Sequence, residues 1–197
     1  MKNFCDIEER YSSYKHSKIV ILPLPYDKTS TYMKGSNKAP GAIIKASAKL
    51  ELYDIETGKS VYQHGIHTLD SLNLPKDPME MSKKVQVEAE KHIKQKKLIV
   101  GIGGEHSVSI GLIRAHAKHY NNLTILQLDA HSDLRQSYNS SKYNHACVMA
   151  RAKELCNIVQ VGIRSMDETE KNSLTNVFYA KDIHNSNAWM DKAIQSM

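Results

Sequence analysis

What the sequence lacks narrows what the protein can be. Cysteine is scarce: Cys5, Cys147 and Cys156 are an odd number and form no Cys-x-x-Cys pair. A disulfide-stapled scaffold is thereby excluded, and a reducing compartment fits. No apolar run approaches the roughly 20 residues that a bilayer-spanning helix requires. The first residues, with Asp6, Glu8, Glu9 and Arg10 so early, lack the apolar core of a signal peptide. A soluble, cytoplasmic protein is expected. Charge of one sign is only mildly in excess, with 27 basic against 21 acidic side chains, and lysine is spread along the whole chain. The single lysine cluster, Lys83 to Lys97, is interrupted by Glu88 and Glu90. With no basic arm, aromatic stacking run or zinc-finger spacing, a nucleic-acid partner is not expected. Neither an internal repeat nor a low-complexity tract is present.

What remains is ordinary globular material: 41% hydrophobic and 24% charged residues, in a chain long enough to bury a core without staples. Short β-branched runs alternate with helix-period stretches. Ile19 to Leu22 reads as a strand closed by Pro23 and Pro25, and Pro40-Gly41 opens a helix running toward Leu50. Ser60 to Thr68 reads as a second strand. Asp77 to Lys96 is helical, with Val85, Ala89 and Ile93 on one face. Further strands are expected at Leu98 to Ile102, Leu123 to Leu128, Ile158 to Ile163 and from Val177. Helices are expected at Ser107 to Lys118 and Ala146 to Leu155. Apolar strands separated by helices predict a doubly wound, mostly parallel α/β sheet with helices on both faces, in one domain spanning residues 1–197.

The sharpest chemical feature is Asp129-Ala130-His131-Ser132-Asp133, directly after a strand. On an extended backbone, positions i, i+2 and i+4 project to one side, at the sheet edge where parallel folds bind ligands. A loop in which the aspartates make turns is the plainer alternative. Two converging carboxylates nevertheless repel unless a cation neutralises them, which favours a metal site. A second feature, Gly101-Ile102-Gly103-Gly104-Glu105-His106-Ser107, matches neither nucleotide-binding glycine pattern. Its glycines permit a tight turn that delivers His106 to a strand end, expected beside the first site. Taken without its companion motif, His106 would read as a packed or surface histidine. Carboxylates mixed with imidazoles suit Mn²⁺, with Zn²⁺, Fe²⁺ and Co²⁺ remaining open. His145, in Tyr143-Asn144-His145-Ala146-Cys147, is either a helix-terminus histidine or a proton carrier. Cys147 reads as a small buried apolar residue rather than a nucleophile.

Four stretches in this order resemble the ureohydrolases, the arginase and agmatinase family of binuclear manganese enzymes that cleave guanidino compounds to urea and an amine. They are Pro23 to Asp27 with the Gly35 to Ala42 segment, Gly103 to Ser107, Asp129 to Asp133, and Val161 to Ser165. The loop Leu134-Arg135 to Tyr138, then Asn144 to Cys147, is similar to the agmatinase branch. Arginases carry an asparagine at the Arg135 position, where it helps hold the amino-acid head group. The resemblance implies that His106, Asp129 and Asp133 ligate one ion. Asp129 would bridge to a second ion, ligated also by His131, with His145 transferring protons near the substrate and Glu105 supporting His106. It also implies an arginase-like three-layer fold, a small guanidino substrate such as agmatine, and homo-oligomerisation of the full-length form. Arginine, guanidinobutyrate and formiminoglutamate are the alternative substrates, and a non-catalytic metal-binding remnant is the alternative role.

One family feature is missing. Members carry a later Asp-x-Asp motif that supplies further ligands, and after Tyr179 this sequence holds only Asp182 and Asp191 as acidic residues. The expectation is an incomplete ureohydrolase, with at most one tightly held ion and a poorly covered sheet edge beyond Val177 to Tyr179.

Overall fold

The computed structural model describes residues 3–184 and 187–197. Its backbone divides into two compact units, Met1–Leu112 and Ile113–Met197.

In the first unit, β1 (Ile19–Leu24) lies between β2 (Ile66–Thr68) and β3 (Leu98–Gly103), with both pairings parallel. Strand β1 is buried on both faces, as its unbroken apolar run requires. On one face Leu22 and Leu24 pack with Tyr26, with Met81 and Val85 of α3 (Pro78–Ile93) and with Val108. On the other, Ile21 packs with Ile7 and Ile66, flanked by Tyr11 of α1 (Glu9–Ser12). Helix α2 (Ala39–Ser47) completes this unit's long elements. The side chain of Asp77 caps α3 by accepting from the Glu80 amide at 2.9 Å, and Pro78 occupies the first turn. Met81, Val85, Ala89 and Ile93, four residues apart, are all buried.

Two expectations are corrected here. Pro23 sits inside β1 rather than closing it. β2 stops opposite Ile21, so no ladder bond from that side is lost to the missing N–H. Of the stretch from Ser60 to Thr68 only Ile66–Thr68 is strand, because Val61–His64 wind into a 3₁₀ turn.

Helix α4 (Val108–His119) runs from the first unit into the second. In the second unit, β5 (Asn157–Ile163) lies between β4 (Thr124–Leu128) and β6 (Asn176–Tyr179), again parallel throughout. Val159 and Val161 pack with Phe178, with Ile183 of α6 (Ala180–Ile183) and with Trp189 and Ala193 of α7 (Ala188–Gln195). Helix α5 (Val148–Lys153) is buried over most of its length.

Parallel strands alternating with helices fit the expected class. The described strands of each unit form a three-stranded sheet, in the orders β2-β1-β3 and β4-β5-β6. Among the described residues no strand follows β6, so its edge is open as expected, but the apolar side chains most exposed at a sheet border lie on β4. Val177 to Tyr179 of β6 are half-buried, with Phe178 against Trp189, whereas Leu126 and Leu128 of β4 are 44% and 73% exposed. Among the described residues, no helix is long and apolar enough to cross a membrane.

Candidate metal centre

The loop after β4 is shaped by its neighbour. Strand β5 bulges at Gly162, whose φ of +91° lies where L side chains are strained, and whose absent Cβ would stand 3.1 Å from the Asp129 carbonyl. The bulge lets the Asp129 amide reach the Val161 carbonyl (3.1 Å), while the Arg164 and Ser165 amides both reach that of Ala130 (2.8 and 3.0 Å). The ligand-bearing backbone is therefore fixed to two strands. Asp133 takes the left-handed conformation, φ +51°, and its carbonyl accepts from the Met149 and Ala150 amides of α5.

Within this unit, a carboxylate oxygen of Asp129 and one of Asp133 lie within 4.8 Å of each other. His131 is turned outward, 64% exposed at its side chain, with Nδ1 3.5 Å from Asp129 Oδ1, and its amide donates to the same oxygen at 2.8 Å. It stands beside Asp129 but outside the group of closely spaced ligand atoms.

A set of polar side chains unremarked in the sequence holds these ligands. Gln127 donates to Asp133 Oδ2 (3.1 Å) and to the His131 carbonyl (3.2 Å). Gln160, its register partner on β5, donates to Gln127 Oε1 (2.6 Å) and to the Ser132 carbonyl (2.7 Å). Ser132 donates its hydroxyl to the buried Glu170 carboxylate at 2.6 Å. Glu170 also accepts from the Asp167 amide, closing a capping box with Asp167. The only signal of this set in the sequence was the pair of glutamines inside two apolar strands.

Arg135, which follows the ligands, donates to Asp167 Oδ2 at 3.1 Å, stands 3.9 Å from Glu170 Oε1, and lies over the Tyr138 ring at 4.8 Å. The Thr169 hydroxyl and amide foremost, and Arg135 after them, hold the Asp167 carboxyl below the usual range. The Tyr138 ring in turn meets His145 edge-on, with centroids 5.9 Å apart. His145 opens a short 3₁₀ turn capped by Asn144, whose side chain accepts from the Ala146 amide. Cys147 is fully buried and burial pushes its thiol up, which suits a packing residue and not a nucleophile.

In the first unit, His106 is half-buried, and its carbonyl accepts from the Ser109 amide at the start of α4. The turn before it presses against β1. The Gly104 amide donates to the Leu24 carbonyl (3.0 Å), and a Cβ on Gly104 would collide with the Tyr26 carbonyl. Glu105 is buried and accepts from the hydroxyl and amide of Thr29 and of Ser107, which fastens both sides of His106.

Residues 17–197 match the arginase family, and the chain belongs to it. Among curated relatives it is 33% identical over 201 residues to the N(1)-aminopropylagmatine ureohydrolase of Synechocystis sp., covering 96% of this chain and 66% of that protein. It is 32% identical to the enzyme of the same name from Thermus thermophilus, with 96% and 67% covered. The agmatine ureohydrolase of Thermoplasma volcanium superposes with a TM-score of 0.87 at 30% identity, over 100% of this chain and 67% of that one. The chain thus spans about two thirds of the length of the relatives it matches.

Proposed function

We propose that this chain carries the ligand-bearing part of an agmatine-type ureohydrolase, a metal-dependent amidinohydrolase that releases urea from agmatine or an N-substituted agmatine. The observation that carries the reading is the close approach of Asp129 and Asp133 at the end of β4, to which the family resemblance adds His106 as a third ligand. Two carboxylates and an imidazole, with no thiolate among them, are a donor set for a hard divalent ion such as Mn²⁺. His106, Asp129 and Asp133 would hold one ion, and Asp129 would share a second with His131. Such ions, when bound, make water nucleophilic at neutral pH.

The remaining chemistry belongs to the chain's own side chains. A guanidinium carbon is a weak electrophile because resonance spreads its charge, so the ligands must be held rigidly for a nucleophile to be well placed. The Gln127, Gln160 and Glu170 contacts supply that rigidity. His145, whose ring meets Tyr138 edge-on, would give a proton to the departing amine. Arg135 engages Asp167 and Tyr138, so the position that holds an amino-acid head group in arginases is filled by an ion pair. That supports a substrate without such a head group, as do the names of the two relatives.

Metal analysis and urea assays test the proposal. The purified 197-residue protein should hold at most one Mn²⁺ tightly, lose it on Asp133→Ala substitution, and release little urea from agmatine or N(1)-aminopropylagmatine. Two tightly held ions with rapid agmatine hydrolysis would overturn the ligand assignment. Retention of metal by Asp133→Ala would overturn the site.

A further inference from the structure

Arg151 is a buried cation on α5, outside the set of side chains that hold the ligands. Its guanidinium is directed at the loop that joins Asp133 to that helix. One nitrogen donates to the Gln136 carbonyl at 3.1 Å and to the Lys142 carbonyl at 3.3 Å, and another donates to Gln136 Oε1 at 3.0 Å. The carboxylate paired with it, Glu154 at 2.8 Å, is itself more than half exposed. Its Nε is buried and meets no acceptor among the described residues. A cation buried in this way is a poor means of stabilising a helix, because an apolar side chain of similar size would fill the place without the desolvation. What the guanidinium does fix is a shape. Gln136 and Lys142 flank a tight turn in which Tyr138 and Ser141 exchange amide hydrogen bonds of 2.9 and 3.1 Å. Asn139 and Ser140 at its tip both take left-handed φ, +47° and +60°. Such a turn closes on itself but cannot set its own direction. Arg151 grips it at both roots.

We propose that Arg151 is a positioning residue: by clamping both roots of this turn it aims the Tyr138 ring at His145, while the metal ligands are held independently of it. Helix α5 serves both arrangements from different atoms. Its Met149 and Ala150 amides hold the Asp133 carbonyl, and its Arg151 side chain holds the turn. Tyr138 is thereby kept between the Arg135 guanidinium, 4.8 Å from its ring centre, and the His145 ring, 5.9 Å away and edge-on. The placement of Tyr138 rests on these contacts alone. Its meaning for catalysis rests on the function proposed above, in which His145 would protonate the departing amine. Lysine could not replace this arginine. The planar fork reaches two main-chain carbonyls and a side-chain oxygen from separate nitrogens, which a single ammonium on a flexible stem does not reproduce.

Nuclear Overhauser spectra of the 197-residue protein test the clamp. Wild type should show cross-peaks between the ring protons of Tyr138 and those of His145. Arg151→Met should lose them while keeping its circular-dichroism spectrum and the exchange protection of the Met149 and Ala150 amides. Arg151→Lys keeps the charge beside Glu154 and should lose them too. Glu154→Gln removes only the outer partner and should retain them. Calorimetric titration with Mn²⁺ should give wild type and Arg151→Met the same affinity within about twofold, well short of the roughly tenfold loss that removing a support behind a ligand causes. Cross-peaks absent from wild type, or surviving in either Arg151 variant, overturn the proposal. So does their loss together with metal affinity, which would make Arg151 a general support of the ligand loop. Should Arg151→Met fail to fold, Arg151→Lys decides by the same two measurements. Wild-type cross-peaks that vanish as stated in a protein that binds no Mn²⁺ leave the clamp standing and count against the function proposed above.

Discussion

Gln127 and Gln160 show how uncharged side chains can organise a charged site. Gln127 donates and accepts at once and Gln160 donates twice, so the pair fixes Asp133 and the Ser132 carbonyl without adding a cation that would compete with a metal ion. Removing one end should be costly. Gln160→Leu strands the Gln127 oxygen and the Ser132 carbonyl in a buried place, and a loss of about 1–3 kcal/mol is expected in urea unfolding. The ligands themselves were legible because Asp-x-His-x-Asp is a local spacing. The glutamines were not, because their partnership exists only through the Gln127–Gln160 register of two strands far apart in sequence. His145 calls for a different outcome from the aspartates. His145→Ala should leave manganese content unchanged by plasma emission while lowering any urea release, and loss of metal would make it a ligand. Asp27 offers a test by pH. Its carboxylate accepts from the Ser30 hydroxyl, the largest influence, and from the Gly35 amide, which hold its pKa below the usual value. A carboxyl depressed in the folded state stabilises fully above the unfolded value near 3.9, and the benefit fades as pH falls through the lower folded value. The urea midpoints of wild type and Asp27→Asn should therefore differ at pH 6 and converge toward pH 2.

At the scale of elements, the strand ends carry the design. β3 ends on glycines because the turn toward His106 lies against the Tyr26 backbone, and β5 bulges at Gly162 to meet the loop after β4. Gly162→Ala should cost about 1–3 kcal/mol, since the new side chain meets both a strained φ and the Asp129 carbonyl. Because that carbonyl sits in the ligand loop, manganese affinity should fall by on the order of tenfold, as for other supports behind a ligand, and calorimetric titration of the variant measures it. Most strands and helices could be located from hydrophobic period and punctuation. Asp77-Pro78 marked the start of α3 within a residue. The failures had tertiary causes: Pro23 is tolerated because β2 is short, and Val61–His64 wind into a turn despite β-branched and aromatic residues. Arg135 could be identified as a site position by resemblance, but its pairing with Asp167 depended on a capping box 32 residues away.

Among the described residues, each unit has its own three-stranded sheet, and β4 stands at a border of the second. Sequence pattern predicted strand order only as far as parallel pairing of neighbours, and nothing local marks which strand stands at a border. The exposed leucines of β4 were invisible because their run reads like any buried parallel strand. A protein with such a border should self-associate when concentrated. Its apparent mass by light scattering should rise with concentration, and Leu128→Lys should suppress the rise without altering metal content.

The only tryptophan gives this chain a built-in optical reporter. Trp189 stands on α7 against Phe178, and Ala193 is the sole buried residue of that helix. So slight an anchorage should release early. Emission from Trp189 would then redden at lower urea than the far-ultraviolet dichroism changes, reporting the peeling of one terminal helix while the strands that carry Asp129 and Asp133 remain folded. Fluorescence taken alone would understate the durability of the ligand-bearing region, and its colour would tell the experimenter about the last turn of chain rather than about the site.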